Sequence, residues 1–276
     1  MSELKSTSRR QFGVAVVGSM AIALALAGAG YGQTSVRTIK IATSAESKPL
    51  AWGAIGVEPQ GFEPDLLKAV NAKLPQYKFE MEGVSDLAQE TGLATGKYDI
   101  AVGGYFKSPN RSKQFLIPEN PEGASLMKIY TRKDSNIAGM KDLVGKQIVP
   151  VTAGGGVYKF VNQWQLENPG YKIDITASSA GVPYPDRLKE VQSGKYDALI
   201  LPSNLGEQTV IDEQKLQIKA SEPVSIDNTY FLIHKSDQNK QLADEVNKVL
   251  KELKDDGTIS KLSQKWFGED VATYMK

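Results

Sequence analysis

The chain has 276 residues, of which 41% are hydrophobic and 24% charged, and its formal net charge is +1. This length suits two domains that each bury a core, and the composition excludes a disordered or collagen-like chain. The absence of cysteine excludes disulfides, thiolate catalysis, zinc–sulfur sites and a lipid-anchoring cysteine, while the scattered basic residues give no indication of nucleic-acid binding.

The N-terminal residues are typical of an export signal. Lys5, Arg9 and Arg10 precede the apolar segment Val14–Ala27, which is too short to be a stable membrane span. The sequence Ser-Arg-Arg-Gln-Phe around the two arginines resembles the twin-arginine motif, and the alternative is an ordinary secretory signal that happens to hold two arginines. We therefore expect residues 1–29 to be cleaved near their small C-terminal residues, and the mature chain to be soluble in the periplasm.

The rest of the chain alternates between strand and helix patterns. The predicted elements are strand 38–43, helix 64–75, strand 77–81, strand 147–151, helix 157–164 and helix 242–253. The last of these stops at Gly257, after which Thr258 is suited to cap a final helix. Strands that alternate with helices predict α/β lobes with mostly parallel sheets.

The tetrapeptide Gly-Lys-Tyr-Asp occurs twice, at Gly96–Asp99 and at Gly194–Asp197. Each copy follows a helix-like segment and precedes a short apolar run. A glycine at that point can take the left-handed conformation that ends a helix before a buried strand. Two such units predict two similar lobes, whose strand ends would face each other across a cleft for a small ligand.

Two segments carry residues suited to ligand binding. Gly103 and Gly104 end a predicted strand, where a ligand could approach the backbone, and Arg111 follows on a Ser-Pro-Asn turn. An arginine among many lysines suggests two-pronged binding of a carboxylate, and the alternative is an ordinary surface arginine. The glycine run at 154–156 precedes a helix whose free amides favour an anion, unless it forms only a tight turn.

Three further motifs occur in a fixed order along the chain. They are Gly61–Leu66 (Gly-Phe-Glu-Pro-Asp-Leu), Tyr98–Gly104 followed by Ser108–Arg111, and Asp256–Gly268. These motifs resemble the signature, the strand with its Thr-Pro-Glu-Arg turn, and the C-terminal segment of the family 3 extracellular solute-binding proteins. Members of that family are periplasmic receptors of polar amino-acid ABC importers, and the resemblance covers nearly all of residues 38–270.

The resemblance implies a two-lobed periplasmic-binding-protein fold of type II, with two mostly parallel sheets, helices on both faces and a hinge of two crossings. Lobe 1 would comprise residues 36–121 and 228–276, lobe 2 residues 126–223, and the crossings residues 121–125 and 224–228. It also implies a monomer that binds an amino acid or derivative through its carboxylate and delivers it to an inner-membrane ABC permease. Neither catalysis, a cofactor, a metal nor nucleic acid is expected.

The expected ligand-binding residues are Arg111, Gly104, Tyr105, Phe106, Glu46, Trp52, Asp86, Gly155, Gly156, Pro202 and Ser203. In the family's pattern, Arg111 takes the ligand carboxylate, with Gly104 and Phe106 offering backbone contacts beside it. Gly156 would face the ligand from lobe 2.

The departures from the family's pattern concern the ligand's nitrogen. Pro202 stands where members carry an aspartate that holds the α-ammonium group, and a small shift in the alignment would bring Ser203 or Asn204 there instead. The family's aromatic side chains near the first strand are replaced here by Ser47 and Leu50, and Trp52 is the candidate that would take their place against the ligand. We therefore expect either an amino-acid derivative, such as an opine, or an amino acid whose nitrogen turns toward Glu46 or Asp86.

Two alternatives to transport remain open. Periplasmic cyclohexadienyl dehydratases resemble this fold and carry a glutamate shortly after the second-lobe glycines, where this chain has Tyr158 and no obvious proton-transfer group. His234, at a predicted strand end, is no substitute. The other alternative is a receptor partner that presents its ligand in signalling.

Overall fold

The structure is a computed structural model that describes residues 36–54, 56–153, 155–178, 184–203 and 205–276, with the backbone alone at Asp86 and Tyr184. The predicted export signal at residues 1–29 lies outside the described residues. Among the helices that are described, none combines the length and the hydropathy needed to cross a membrane.

Strands and short helices alternate along most of the described chain. The strands are Arg37–Ser44 (β1), Glu46–Ser47 (β2), Ala51–Trp52 (β3), Tyr77–Val84 (β4), Ile100–Phe106 (β5), Phe115–Leu116 (β6), Gly123–Arg132 (β7), Val151–Thr152 (β8), Ala177–Ser178 (β9), Ala198–Pro202 (β10), Ile218–Ala220 (β11) and Ser225–His234 (β12). The α-helices are Phe62–Lys73 (α1), Asp86–Ala94 (α2), Pro109–Gln114 (α3), Gly156–Glu167 (α4), Tyr184–Gln192 (α5), Glu207–Glu213 (α6), Asp237–Asp255 (α7) and Thr258–Phe267 (α8). The described residues also form two 3-10 helices, Met140–Leu143 and Val271–Tyr274.

A mixed sheet runs through the described chain in the order β10-β7-β12-β5-β1-β4, with β11 paired to β7 and β6 to β12. Strand β1 is parallel to both β4 and β5, whereas β12 is antiparallel to β5 and to β7. The α/β character predicted from the sequence is confirmed. The structure adds that the two predicted sheets are joined by hydrogen bonds through β7 and β12.

Strands β7 and β12 pair with each other at their N-terminal ends. Their register runs from Gly123 opposite Thr229 to Met127 opposite Ser225. Strand β7 then continues beside β10, and β12 continues beside β5. This paired segment, residues 123–127 with 225–229, overlaps the crossings predicted at residues 121–125 and 224–228, whose role as a hinge stays a prediction.

The two copies of Gly-Lys-Tyr-Asp adopt the same local structure. The first glycines, Gly96 and Gly194, have φ angles of 77° and 79°, which confirms the predicted left-handed helix ends. The Asp99 carboxylate accepts the Lys40 backbone N–H at 3.0 Å. In the second copy the Asp197 carboxylate accepts the Gln147 backbone N–H at 2.9 Å. Each repeated aspartate therefore binds the backbone of a neighbouring segment.

The apolar core of the described residues is divided between two sets of clusters that share no residue. One set, called the first core group, comes from residues 39–126 and 231–275, and the other, the second core group, from residues 129–218. The helix predicted from the apolar spacing of residues 242–253 is confirmed as part of α7, and its Leu242 and Leu250 are fully buried in the first core group.

Two local features differ from the sequence prediction. Thr258 does not cap the last helix: α8 begins at Thr258 itself, after the left-handed Gly257, and the Asp256 carboxylate accepts the Thr258 N–H at 3.0 Å. Only Asp256 and Gly257 separate α7 from α8, and because glycine has no side chain, Asp256 supplies the acceptor. The strand predicted at 147–151 is reduced to β8 and an isolated bridge at Ile148, because Pro150 has no N–H to donate.

Candidate ligand-binding site

Arg111 lies in the short helix α3, directly after strand β5. The Ser108 hydroxyl accepts the Arg111 backbone N–H at 3.3 Å and caps this helix. The guanidinium donates to the Phe106 carbonyl at 3.1 Å and to the Glu90 carboxylate at 2.6 Å. Its central carbon also lies 4.8 Å from the centre of the Tyr105 ring. These contacts fix the guanidinium, yet the side chain remains 28% exposed.

Helix α2 supports the ring beneath this arginine. Tyr105 is buried, and its hydroxyl donates to the Gln89 side-chain oxygen at 2.9 Å. A Cβ atom at Gly103 would lie 3.2 Å from that same oxygen and 3.4 Å from the Tyr105 ring. The first of the paired glycines therefore leaves room for the Gln89–Tyr105 contact, which is a packing role that the sequence did not indicate.

Gly104 has a left-handed backbone, with a φ angle of 62°. Its N–H donates to the Glu63 carboxylate at 2.7 Å. Because that N–H is engaged within the protein, a ligand contact from Gly104 would use the carbonyl.

A cavity lies at the C-terminal ends of β1 and β4. Its volume is about 420 Å³, and it is lined by Ser44, Glu46, Ser47, Val84 and Ser85. The Ser44 hydroxyl donates to the Ser47 hydroxyl at 2.8 Å. Ser85 caps α2, and Asp86 follows as the first residue of that helix. The Asp86 side chain lies outside the described residues, so the backbone alone puts this candidate next to the cavity.

Trp52 lies opposite Glu46 in the β2–β3 hairpin. Its ring packs edge-on against Trp266, with the ring centres 5.4 Å apart. Trp52 lines a second cavity of about 420 Å³, whose other lining residues are Lys48, Pro49, Leu205, Gly206, Thr209, Val210, Glu213, Lys265 and Trp266. In this hairpin, Glu46 therefore lines the first cavity and Trp52 lines the second.

The remaining candidates lie at the ends of elements in the second core group. Gly155 is the N-cap of α4 and Gly156 its first residue, and no side chain of the described residues caps this helix. Pro202 ends β10 and is partly exposed. Ser203 is buried, its N–H donates to the Leu126 carbonyl at 2.8 Å, and its hydroxyl has no hydrogen-bond partner among the described residues.

The structure brings Arg111, Tyr105 and Phe106 into direct contact. Sequence reasoning missed Glu90 and Gln89, the residues of α2 that bind this cluster. A signal was available, since Glu90 lies four residues after the candidate Asp86, and residues at that spacing share one face of a helix.

Two buried carboxyl groups lie near the glycines of β5. This strand continues past Gly104 to Phe106, so the prediction that Gly103 and Gly104 end it is wrong. Glu63 and Glu122 are both fully buried. In the described part of the chain, the Glu122 oxygens have no hydrogen-bond partner other than the Glu63 carboxyl. Burial raises the pKa of Glu122 well above its usual value, and the charge of Glu63 and the hydrogen bond to it raise the pKa further. Because Glu63 also accepts the Gly104 N–H, the pair joins the middle of β5 to the residue before β7.

A second buried polar cluster connects β7 with α6 and the C-terminal segment. The Tyr130 hydroxyl donates to the Glu207 carboxylate at 2.8 Å, and both residues are buried. Burial raises the pKa of Glu207, although its hydrogen bonds oppose this shift. Lys128, which lies two residues before Tyr130 on β7, forms an ion pair with Glu269 in the C-terminal segment.

The described residues contain no group of three or more His, Asp and Glu side chains arranged to hold a metal ion. His234 ends β12 in a half-buried position, with its Nδ1 atom 2.8 Å from the Leu93 carbonyl oxygen. Tyr158 lies in the first turn of α4.

Comparisons with known proteins give consistent relatives. The sequence profile of the bacterial extracellular solute-binding proteins, family 3, matches residues 39–269. The L-cystine-binding protein TcyK of Bacillus subtilis is 27% identical over 266 residues, covering 94% of this chain and 96% of that protein. The arginine-binding extracellular protein ArtP of B. subtilis is 27% identical over 241 residues, covering 85% and 88%. The crystal structure of the probable amino-acid ABC transporter extracellular-binding protein ytmK from B. subtilis is similar with a TM-score of 0.72 and 26% identity, covering 85% of this chain and 99% of that one.

Proposed function

Because the chain belongs to the bacterial extracellular solute-binding proteins of family 3, we propose that it captures an amino acid or an amino-acid derivative and delivers it to an ABC importer. Its fold is the two-lobed type II periplasmic-binding-protein fold. The observation that carries the proposal is the full-length similarity to amino-acid-binding proteins, which covers 94% of this chain and 96% of the L-cystine-binding relative.

In this proposal the ligand binds between lobe 1 (residues 36–121 and 228–276) and lobe 2 (residues 126–223), which close about the crossings at 121–125 and 224–228. The separation of the first and second core groups supports these lobes. The pairing of β7 with β12 supports the hinge, since a pair of strands can bend while its hydrogen bonds persist.

Arg111 is the proposed anchor for the ligand's carboxylate. A guanidinium has five N–H donors in a planar fork, and the described contacts of Arg111 use two of its nitrogens. The Tyr105 ring and the Phe106 carbonyl hold the fork in a partly exposed position. A carboxylate therefore finds a pre-oriented partner, which lowers the entropic cost of binding.

The ligand's nitrogen needs a partner other than Pro202. Proline offers one carbonyl and no charge, and a buried ammonium without a charged or polar partner is strongly disfavoured. The ligand is therefore an amino-acid derivative, or an amino acid whose nitrogen is bound by an acid elsewhere. The relatives named for L-cystine and for arginine define the first compounds to test.

The protein is proposed to work as an exported monomer in the periplasm, with an inner-membrane ABC permease as its partner, and to release its ligand unchanged. The family description as extracellular supports the location. Tyr158, which stands where the dehydratases carry a glutamate, supports binding without catalysis, because phenols are weak general acids near neutral pH.

A thermal-shift screen tests the proposal. The purified mature chain is heated with each of the common L-amino acids, L-cystine and a set of opines. A compound that binds the folded state raises the Tm in proportion to the logarithm of its concentration above the Kd. We expect at least one of these compounds to raise the Tm, with a smaller rise in Arg111→Ala. No Tm change with any of them would contradict the proposed ligand class.

A further inference from the structure

Helix α2 presents a carboxylate next to the proposed carboxylate anchor. One oxygen of Glu90 lies 2.6 Å from an Arg111 nitrogen, and the Glu90 side chain is 43% exposed. In the described residues, Arg111 is the ion-pair partner of Glu90, and the hydrogen bond between them uses a single Glu90 oxygen. Glu90 thus has an accessible oxygen beside the guanidinium.

We infer that Glu90 binds the α-ammonium group of the ligand while Arg111 binds its carboxylate, so that the head group of an α-amino acid is recognised within lobe 1. The inference rests on the proposed function and deepens it by assigning the ligand's nitrogen. An arginine alone would favour any carboxylate. A paired arginine and glutamate present one positive and one negative charge side by side, which is the charge pattern of a zwitterionic head group.

Two other acidic residues, Glu63 and the candidate Glu46, are less suited to this role, and the side chain of the candidate Asp86 lies outside the described residues. Glu63 is fully buried and accepts the Gly104 N–H. Glu46 is exposed in the β2–β3 hairpin. Of Glu46, Glu63 and Glu90, Glu90 alone is bonded directly to Arg111, so an ammonium group that it binds would lie next to a carboxylate held by that arginine.

Stability does not explain the pair. Both side chains are partly exposed, and exposed ion pairs contribute little to the free energy of unfolding. A role in ligand recognition does explain the pair, because Glu90 would also repel a ligand that carries a carboxylate but no ammonium group.

The test compares L-cystine with 3,3′-dithiodipropionic acid, which is L-cystine without its two amino groups, by isothermal titration calorimetry. The chain has no cysteine, so neither compound can form a mixed disulfide with it. Glu90→Gln is the test variant, and Glu80→Gln is the matched control, since Glu80 forms an exposed ion pair with Lys78 on β4. L-arginine and its des-amino analogue 5-guanidinopentanoic acid form a second probe pair.

We expect the wild type to prefer the amino acid in at least one probe pair. Glu90→Gln should raise the Kd of that amino acid by about 10- to 100-fold, as expected for the loss of a charged hydrogen bond. The Kd of the des-amino analogue should stay the same or fall. Glu80→Gln should behave as the wild type. Equal weakening of both compounds would overturn the inference, because it would make Glu90 only a positioning residue for Arg111. An unchanged preference would overturn it as well.

The outcomes separate this inference from the proposed function. A wild type that binds neither L-cystine nor L-arginine overturns the inference, whereas the proposed function fails only if the wider amino-acid and opine screen is also negative. Amino-acid binding that is indifferent to Glu90→Gln retains the proposed function and rejects the role of Glu90.

Discussion

The buried carboxyl pair of Glu63 and Glu122 should make the stability of this protein depend on pH. Burial first, and then the charge of Glu63, raise the pKa of Glu122 above its usual value of 4.5 in the folded state. The folded chain therefore keeps a proton that the unfolded chain releases above that value, so the free energy of unfolding falls as the pH rises toward the folded-state pKa. For one proton the slope is at most about 1.4 kcal/mol per pH unit.

The substitution Glu122→Gln removes this titration and keeps the shape of the side chain. The new amide can still donate to the Glu63 carboxylate. In a chain of this size about 1.4 kcal/mol corresponds to roughly 3–6 °C in Tm. We therefore expect Glu122→Gln to have a higher Tm than the wild type at about pH 8, and a flatter decline in Tm between about pH 5 and pH 8.

Differential scanning calorimetry across this pH range measures the effect. Glu119→Gln is the control, because Glu119 is an exposed glutamate three residues away. It should follow the wild-type curve. Parallel Tm curves for the wild type and Glu122→Gln would refute the reasoning, since they would show that the buried pair binds no extra proton on folding.

Two further predictions concern the second polar cluster and the hinge. Tyr130→Phe removes the hydroxyl that donates to the buried Glu207 carboxylate, so it should lower the free energy of unfolding by about 1–3 kcal/mol in urea titrations, whereas the exposed Tyr171→Phe should not. An unchanged unfolding midpoint in Tyr130→Phe would mean that water replaces the lost donor. Saturation with an amino acid that binds should lower the radius of gyration in small-angle X-ray scattering, because the ligand stabilises the closed lobes. An identical radius with and without ligand would argue for a rigid pocket.

Much of the fold could be predicted from the sequence because its signals are local. The repeated Gly-Lys-Tyr-Asp fixes the helix-to-strand turns at Gly96 and Gly194 through a backbone conformation that glycine tolerates. The apolar spacing of residues 242–253 predicted α7 and the face that it buries in the first core group. The joining of the sheets through β7 and β12 was not predictable, since it depends on pairing between residues 123 and 229, which are far apart in sequence.

The candidate site shows the same division between local and distant signals. Arg111 could be singled out from its turn and the scarcity of arginine. Its partner Glu90 was missed: the spacing from Asp86 placed Glu90 on the same helix face, but a single helix pattern does not tell which strand end the helix covers. The Glu63–Glu122 contact likewise joins α1 to the residue before β7, and both glutamates look like ordinary surface residues in the sequence. Buried polar contacts of this kind become visible only once the fold is known.

We propose that Arg111 anchors an amino-acid ligand by its carboxylate, and calorimetric titration tests this role most directly. The amino acid that gives the largest thermal shift is titrated into the wild type and into Arg111→Ala. Loss of one partner of a desolvated charge pair costs about 2–5 kcal/mol, so the Kd of Arg111→Ala should rise by at least about thirtyfold while its fold and Tm without ligand stay close to those of the wild type. An equal Kd for both proteins would contradict the account, because the ligand would then bind without Arg111.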